Sequence, residues 1–280
     1  MTVSQSSFRQ NLHTVLAFGW SDFVLKYRGS FFGYLWSLAA PLVRFLVIYY
    51  VFHPFVGREI AQYPLYLFLG IILWEHFTLT TTACMTMLHE KSSLIKKVPF
   101  PRILLVFVTG WTHLLIFLTH FAIFLAAAWA FGVPILPRLW YLPILLLQMS
   151  LLALGVGMIL AAYCLKYRDI QHLWLIVSQL LFWLTPIMYP YRLEGPLWAV
   201  LLQTLKGSFT PTLVGFFDVF VRFQPLSILI HDARRVFLYA GTLGIPSFTH
   251  MIAFTALCAI FFGLSALVFV RRSRFFLQEY

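Results

Sequence analysis

The sequence predicts an all-α integral membrane protein, and three observations support this fold class. Hydrophobic residues make up 61% and charged residues 10% of the 280-residue chain, whereas a soluble domain is about 45–50% apolar and about 25% charged. Nine acidic residues are too few to give a globule of this size a solvated surface. Six apolar segments are long enough, at about 20 residues, to cross the ~30 Å hydrocarbon core of a bilayer.

An amphipathic helix is predicted before the first span, within residues 1–31. Apolar side chains recur at three- and four-residue steps between Phe8 and Tyr27. Charges interrupt this segment too often for it to span, so we expect the helix to lie in the membrane interface. Gly29 and Gly33 then permit the turn into the first span.

Six membrane-spanning helices are predicted to follow, with an irregular segment between the last two. The predicted spans are Phe32–Phe55, Tyr63–Leu88, Ile103–Phe131, Leu139–Leu165, His172–Tyr189 and His250–Val270. Residues 190–249 contain several prolines and apolar runs too short to cross, so we predict short re-entrant helices that form an extracytoplasmic gate region. The whole chain is predicted to be one domain, 1–280, divided into the interface helix (1–31), spans one to five (32–189), the gate region (190–249), and span six with a cytoplasmic tail (250–280).

Lys and Arg concentrate at one set of predicted span ends, which orients the chain. With both termini on one side, that side holds Lys26, Arg28 and the loop HEKSSLIKKVPFPR, whereas the short loops opposite hold Arg58 with Glu59 and Arg138. The excess of positive charge on cytoplasmic loops then predicts that both termini and this loop are cytoplasmic. Basic residues at span ends meet anionic lipid, so the net charge of +11 predicts membrane lipid as a partner and not nucleic acid.

Motifs for nucleotide binding, metal binding and hydrolysis are missing from the sequence. It contains no GxxxxGK[ST], no HExxH, no GxSxG and no cysteine–histidine zinc spacing. We therefore expect no enzymatic activity, no metal and no cofactor in this chain.

Two opposite charges, Arg44 and Glu75, lie inside predicted spans. Each is about 18 Å from the start of its span, and the two spans form an antiparallel hairpin, so the side chains are expected to meet near mid-membrane. An unpaired charge there costs at least about 2.5–3.5 kcal/mol. Two interpretations stay open: a structural ion pair, or a pathway charge that contacts an anionic substrate or a proton.

Four blocks of the sequence resemble one known family. They are KYRGSFFGYLWSLAAPL (26–42), LIKKVPFPRILLVF (94–107), KYRDIQHLWLIVSQLLFWLTPIMYP (166–190) and FQPLSILIHDARRVFL (223–238). In this order they resemble the transmembrane permease subunits of ABC-type polysaccharide exporters. The chain departs from that pattern at Gln224, where Asn is usual, in a longer 189–224 stretch, and at Arg44 and Glu75, where the family is mainly apolar.

The resemblance implies a homodimer of permease chains in the bacterial inner membrane. Two separate ATP-binding cassette subunits would bind MgATP, and the complex would export a lipid-linked glycan. An O-antigen-like polysaccharide is the favoured substrate, with teichoic acid and capsule as alternatives. An ion-coupled secondary transporter is the alternative from another class. Such a transporter usually has several intramembrane acids and repeated halves, whereas this sequence has one intramembrane Glu and no internal repeat.

The resemblance also gives the charged loop after the second span a role in ATPase coupling. HEKSSLIKK is expected to form a short rigid helix that receives a push from the ATPase, stiffened by the prolines that follow. The coupling residues would be Glu90, Lys91, Leu94, Ile95, Lys96, Lys97 and Pro99, with a second contact at Lys166, Arg168 and Asp169. The alternative is a basic loop that only fixes topology.

Aromatic side chains are predicted to line a path for sugar rings, because flat rings stack on the apolar faces of sugars. The predicted channel residues are Tyr34, Trp36, Phe45, Tyr49, Phe182, Trp183 and Tyr189. An interfacial aromatic belt is the alternative. Pro186, Pro190 and Pro225 are predicted to form a gate, with Pro186 kinking the fifth span, and Arg234 and Arg235 are expected to face solvent or headgroups.

Basic residues before the first span are predicted to capture a lipid pyrophosphate. Lys26 and Arg28, with the backbone near Gly29 and Ser30, would sit at the depth of the headgroup. Ordinary snorkelling of the two basic side chains to anionic lipid is the alternative.

Overall fold

The computed structural model of the chain describes residues 5–28, 35–91, 101–189 and 219–273. Every regular element in these ranges is helical, which confirms the predicted all-α class for this part of the chain. Several predicted site residues lie outside the described residues: Gly29, Ser30, Tyr34, Leu94, Ile95, Lys96, Lys97, Pro99 and Pro190.

Eight α-helices and one 3-10 helix can be given bounds. They are α1 (Gln5–Tyr27), α2 (Leu35–Val56), α3 (Tyr63–Glu90), α4 (Arg102–Ala130), the 3-10 helix (Leu136–Tyr141), α5 (Leu142–Cys164), α6 (Ile170–Leu184), α7 (Pro225–Phe237) and α8 (Phe248–Ser273). Within the described ranges, five segments are long and apolar enough to cross a membrane: α2, α3, α4, the 3-10 helix together with α5, and α8.

The predicted fifth span is shorter in the structure than in the sequence-based prediction. Helix α6 has 15 residues and is therefore about 22 Å long, less than the ~30 Å of hydrocarbon. It ends because Pro186 disfavours helical backbone at Thr185, which is extended with ψ 134°. The prediction that Pro186 kinks a continuous span is therefore wrong: the proline follows the end of the helix.

Helix α3 is the centre of the bundle, and most of its residues are buried. A large apolar cluster surrounds it along α4, α5 and α7. A second cluster joins the ends of four helices through Leu88, Leu105, Met158 and Phe269. The last helical turns near this cluster carry positive charge, so we call it the basic end of the bundle; its Lys and Arg include Lys91, Lys166, Arg168, Arg271 and Arg272.

Helix α1 packs against α4 through a small residue, while its apolar side chains point away from the protein. A Cβ on Gly19 would lie 2.6 Å from Trp111 Cδ1, so only glycine allows this close approach. The Thr112 hydroxyl donates a hydrogen bond to the Gly19 carbonyl at 3.1 Å. Leu12 and Trp20, from the predicted apolar stripe, are exposed, as expected of a helix whose apolar side meets lipid.

Helices α2 and α6 both leave a broad apolar surface uncovered. The exposed side chains on α2 include Val43, Val47, Tyr50 and Phe55, and those on α6 include Leu173, Ile176 and Leu180. Either hydrocarbon or another protein surface can cover such faces in a membrane.

Candidate functional site

A cavity of about 460 Å³ lies between α1, α2, α3 and α4. We call it the Arg44 cavity. Its polar lining consists of Lys26, Ser37, Arg44, Glu75, Thr78 and His120, and its apolar lining of Trp36, Ala40, Leu79 and Ile116. Lys26 belongs to the last turn of α1, whereas Arg44 lies about 13 Å along α2 from the first described residue of that helix. The cavity therefore joins the basic end to the interior of the bundle.

Arg44 and Glu75 contact each other on one wall of this cavity. Arg44 Nη1 lies 3.4 Å from Glu75 Oε1, and the two side chains are 45% and 7% exposed. A tight charge-assisted hydrogen bond is shorter, about 2.7–2.9 Å. The guanidinium also lies 5.7 Å from the centre of the Phe182 ring. Arg44 is therefore loosely paired and open to the cavity, while Glu75 is buried behind it.

Lys26 and His120 complete the basic lining of the Arg44 cavity. Lys26 keeps an exposed surface, yet partial burial lowers its pKa from the ordinary value and the charge of Glu90 opposes that shift. A ring nitrogen of His120, Nε2, lies 3.1 Å from the Ser37 carbonyl oxygen, which fixes the ring between α4 and α2. Arg28, the other described residue of the predicted pyrophosphate site, is exposed at the end of α1.

Charged residues tie the last turns of α1 to the end of α3. Lys91 Nζ donates a hydrogen bond to Asp22 Oδ2, and the Glu90 charge acts on Lys26. We call these four residues the charge latch. They join the interface helix to the residues from which the predicted coupling segment begins.

The predicted coupling residues that fall within the described ranges lie at the basic end. Lys91 is engaged by Asp22 within the chain, and Glu90 is exposed. Lys166, Arg168 and Asp169 are all exposed in the connection between α5 and α6. Their surface position leaves them accessible to a protein on this side, and their role in coupling stays a prediction.

At the opposite end of the bundle, Arg234 of α7 is buried against main-chain carbonyls and is 4% exposed. Its Nη1 donates to the Pro186 carbonyl at 2.6 Å and its Nη2 to the Ile187 carbonyl at 2.7 Å. Its Nε and Nη2 also donate to the Tyr66 carbonyl, at 3.2 and 3.1 Å. The guanidinium carbon lies 3.4 Å from the centre of the Tyr66 ring. The expectation that Arg234 faces solvent or headgroups is therefore wrong.

Tyrosine hydroxyls of α3 add hydrogen bonds along the non-helical segment that follows α6, and we call these contacts, together with those of Arg234, the clamp. Tyr63 donates to the Met188 carbonyl at 3.2 Å and Tyr66 to the Tyr189 carbonyl at 2.8 Å. Together with Arg234 they satisfy four successive carbonyls, from Pro186 to Tyr189. Buried carbonyls without a donor are costly, so this non-helical backbone is held in one shape by α3 and α7.

Tyr239 adds a further hydrogen bond at this end of the bundle. Burial raises the pKa of Tyr239 to about 12, with Arg234 opposing the shift. The hydroxyl therefore stays protonated, and it donates to the Ala61 carbonyl at 2.7 Å. This hydrogen bond joins Tyr239, two residues after the end of α7, to the connection between α2 and α3.

The predicted channel aromatics from α2 and α6 lie close to one another. Phe45 stacks on Tyr49, with ring centres 5.7 Å apart. Phe182 contacts Trp183 edge to face, and Trp183 in turn lies 6.5 Å from Phe52 of α2. Trp36 and Trp183 are more than half exposed. Tyr189 is held by its own hydrogen bond to the Leu184 carbonyl at 2.8 Å.

The two described gate prolines occupy fixed positions. Pro186 is buried among the clamped carbonyls, and Pro225 takes one of the first positions of α7, where proline readily starts a helix. Gln224, just before it, donates from Nε2 to the Thr185 hydroxyl at 2.9 Å. The start of α7 is thus joined to the end of α6.

Sequence reasoning missed Arg234 as a structural residue, although a signal was present. Leu226, Ile230 and Phe237 form the buried stripe of α7, and Arg234 follows Ile230 by four residues and precedes Phe237 by three. This spacing places Arg234, and not Arg235, on the apolar face. The carbonyls that it contacts belong to distant segments, and no local pattern indicates them.

Comparisons with known proteins place the chain among membrane transporters. The sequence profile of the ABC-2 type transporter family matches residues 13–206. Two similar proteins from Klebsiella pneumoniae and one from Myxococcus xanthus are each named "O-antigen export system permease protein RfbA". The identities are 27% over 211 residues, 27% over 169 and 30% over 168. The alignments cover 74%, 60% and 59% of this chain and 82%, 65% and 64% of the three relatives.

Proposed function

The chain belongs to the ABC-2 type transporter family, and we propose that it is the membrane-spanning subunit of an ATP-driven polysaccharide exporter. Its substrate is a lipid-linked, O-antigen-like glycan carried outward across the bacterial inner membrane. The single observation that carries this proposal is that all three relatives are named as O-antigen export permeases. Teichoic acid and capsule remain alternative cargoes within the same family.

A homodimer is the proposed form of the permease, with both termini cytoplasmic. In this arrangement the apolar faces of α2 and α6 support the proposal, because a second copy can cover them. Helix α6 together with the segment after it counts as the fifth of six spans, and α7 forms part of the extracytoplasmic gate region. The basic end then faces the cytoplasm, in agreement with the excess of positive charge expected on that side.

Two ATP-binding subunits bind at the basic end in this proposal, since the sequence of the chain contains no phosphate-binding loop. The segment after Lys91, with Lys96 and Lys97, receives the movement of these subunits, assisted by Lys166, Arg168 and Asp169. Charge reversal of Lys96 and Lys97 together is expected to weaken copurification with the ATP-binding subunit while membrane insertion is retained. Full retention of the complex would contradict this docking role.

The glycan passes along the aromatic side chains of α2 and α6 in this proposal. Support comes from the stacking of Phe45 on Tyr49 in α2, and from Trp183, next to Phe182 in α6, whose ring lies 6.5 Å from that of Phe52 in α2. Weak stacking on several rings suits a moving polymer better than one deep pocket. The polyprenyl diphosphate of the cargo enters near Lys26 and Arg28.

The experiment that tests the function is mass spectrometry of glycolipids from cells that lack this chain. A lipid-linked O-antigen-like glycan is expected to accumulate on the cytoplasmic side, and a plasmid-borne copy of the chain should clear it. Normal levels of every lipid-linked glycan in the deletion strain would contradict the proposal, and accumulation of a different polymer would select teichoic acid or capsule.

A further inference from the structure

The Arg44 cavity carries more positive than negative charge in a place where charges are expensive. Lys26 and Arg44 line it together with His120, and Glu75 is the acidic side chain in its lining. The charges of Arg44 and Glu75 cancel, which leaves the positive charge of Lys26 in the lining. A cavity with this lining favours an anion.

Arg44 has hydrogen-bonding capacity to spare. A guanidinium has five N–H donors, and its contact with Glu75 is one 3.4 Å approach of Nη1. The side chain is 45% exposed, whereas Glu75 is 7% exposed. Glu75 thus holds Arg44 at the cavity wall without using up its donors, and the open side of Arg44 faces the same space as Lys26.

The walls of the cavity indicate where such an anion comes from. Lys26 stands at the basic end, on α1, and Arg44 lies on α2, about 13 Å along that helix from Leu35. Between them the lining includes Trp36, Leu79 and Ile116. A second cavity, about 820 Å³ between α6 and α8, is lined by apolar side chains with Gln224 and offers no charge to a phosphate.

We propose that the Arg44 cavity binds the phosphate or diphosphate headgroup of a membrane lipid through Lys26 and Arg44, and that Glu75 competes with this headgroup for Arg44. The inference rests on the proposed function and deepens it, since it moves the headgroup site inward from the exposed end of α1 to a defined cavity. Glu75 keeps Arg44 paired while the cavity is empty, and it gives up the guanidinium when a phosphate binds.

If Glu75 competes with the headgroup for Arg44, substitutions of Glu75 and of Arg44 should change the affinity for the headgroup in opposite directions. In Glu75→Gln the competitor is neutral, so affinity for a lipid diphosphate should rise. In Arg44→Gln a charge-assisted contact is lost, so affinity should fall by about tenfold. Lys26→Gln should also weaken binding, and Arg44→Lys should bind more tightly than Arg44→Gln because it retains the charge.

The test measures binding of a polyprenyl diphosphate without glycan to the full chain in phosphatidylcholine nanodiscs, by native mass spectrometry. Arg58→Gln and Glu59→Gln are matched controls, because both residues are exposed in the connection between α2 and α3; both should bind as the unmodified chain does. Inorganic pyrophosphate is offered in a second series and should bind at least about tenfold more weakly than the lipid, because it lacks the polyprenyl chain that partitions into the membrane.

Two results would overturn the inference. A loss of affinity in Glu75→Gln as large as that in Arg44→Gln would show a structural pair and no competition. Equal affinity for inorganic pyrophosphate and for the polyprenyl diphosphate would show a site for soluble anions. If Glu75→Gln fails to assemble, unchanged binding in both Lys26→Gln and Arg44→Gln contradicts the site just as directly.

Failure of this inference is distinguishable from failure of the proposed function. The binding measurement uses the chain without its ATP-binding partner and without glycan, whereas the function is tested by the glycolipid that accumulates in cells. Unchanged binding in the cavity variants together with accumulation of an O-antigen-like glycan would remove the cavity site and leave the exporter.

Discussion

Arg234 shows how one buried charge can fix an irregular stretch of backbone. Its guanidinium contacts three carbonyls of two distant segments and stacks on Tyr66. Non-helical backbone inside a membrane is tolerated where protein satisfies its polar groups. The non-helical segment after α6 meets this requirement through its hydrogen bonds with Arg234, Tyr63 and Tyr66. If α7 moves, it must therefore carry this segment with it or break the hydrogen bonds of Arg234.

Arg234→Gln is expected to destabilise the protein strongly. Gln cannot reproduce the forked donors of Arg, and each buried carbonyl left unsatisfied costs about 1–3 kcal/mol. The midpoint of thermal unfolding in detergent should fall well below that of the unmodified chain. Arg235→Gln is the matched control: Arg235 is the next residue, only partly buried, with a hydrogen bond from Nη2 to the Leu243 carbonyl, and its midpoint should change little. Equal effects of both changes would contradict the clamp.

Gly70→Ala tests the same clamp from the opposite side. A Cβ on Gly70 would lie 2.5 Å from Arg234 Nη2, so the alanine should displace the guanidinium from the Ile187 carbonyl. The unfolding midpoint is expected to fall, and the double change with Arg234→Gln should cost less than the sum of the single changes because both disrupt one cluster. Strict additivity of the two effects would show that Gly70 acts independently of Arg234.

At the residue scale, helical periodicity places side chains on faces but does not identify their partners. The spacing of Ile230, Arg234 and Phe237 indicates that Arg234 faces the core. The depth argument for Arg44 and Glu75 likewise brings the two side chains together, as the 3.4 Å contact shows. The carbonyls of residues 186–189 and the contact of Asp22 with Lys91 depend on chain segments far apart in sequence, so no local pattern predicts them.

Among the elements, α1 is placed to move together with the end of α3 at the basic end of the bundle. Gly19 allows close packing on α4, and the charge latch joins the last turns of α1 to Glu90 and Lys91. Lys26 belongs to the latch and also lines the Arg44 cavity. Displacement of the segment after Lys91 by an ATP-binding subunit would therefore reach the wall of that cavity through α1.

A charge exchange tests whether α1 follows α3. Asp22→Lys and Lys91→Asp each place like charges opposite one another, so each is expected to lower glycan export several-fold in living cells. The double exchange restores opposite charges and should recover most of the export. Arg9→Asp changes an exposed charge near the other end of α1 and should leave export unchanged. Failure of the double exchange to recover any export would contradict the latch.

Long apolar helices were well predicted at the element scale, and the short one was not. The span predicted over Tyr63–Leu88 is the helix Tyr63–Glu90 in the structure, because a mostly apolar stretch of this length leaves little freedom in where a helix can lie. Where the sequence predicts a span over His172–Tyr189, the structure has a 15-residue helix that ends at Leu184. Residues 185–189 are not helical, because Pro186 stops the helix and side chains of α3 and α7 satisfy the freed carbonyls.

For the whole molecule, the two ends of the bundle differ in the kind of contact that holds them. The basic end has exposed cations and the partly buried charge latch beside its apolar cluster, so its polar contacts are made between side chains. The opposite end has a buried guanidinium and tyrosines on main-chain carbonyls. This difference agrees with the proposal that the ATP-binding subunits act on the basic end.

Reconstitution in sealed vesicles tests the central claim, that this chain moves a lipid-linked glycan only when an ATP-binding subunit drives it. The chain is reconstituted with and without the proposed ATP-binding subunit, and glycan exposure on the far side is measured by digestion with an added glycosidase. The account predicts digestion only when both proteins and MgATP are present. Transfer by the chain alone, without nucleotide, would contradict it.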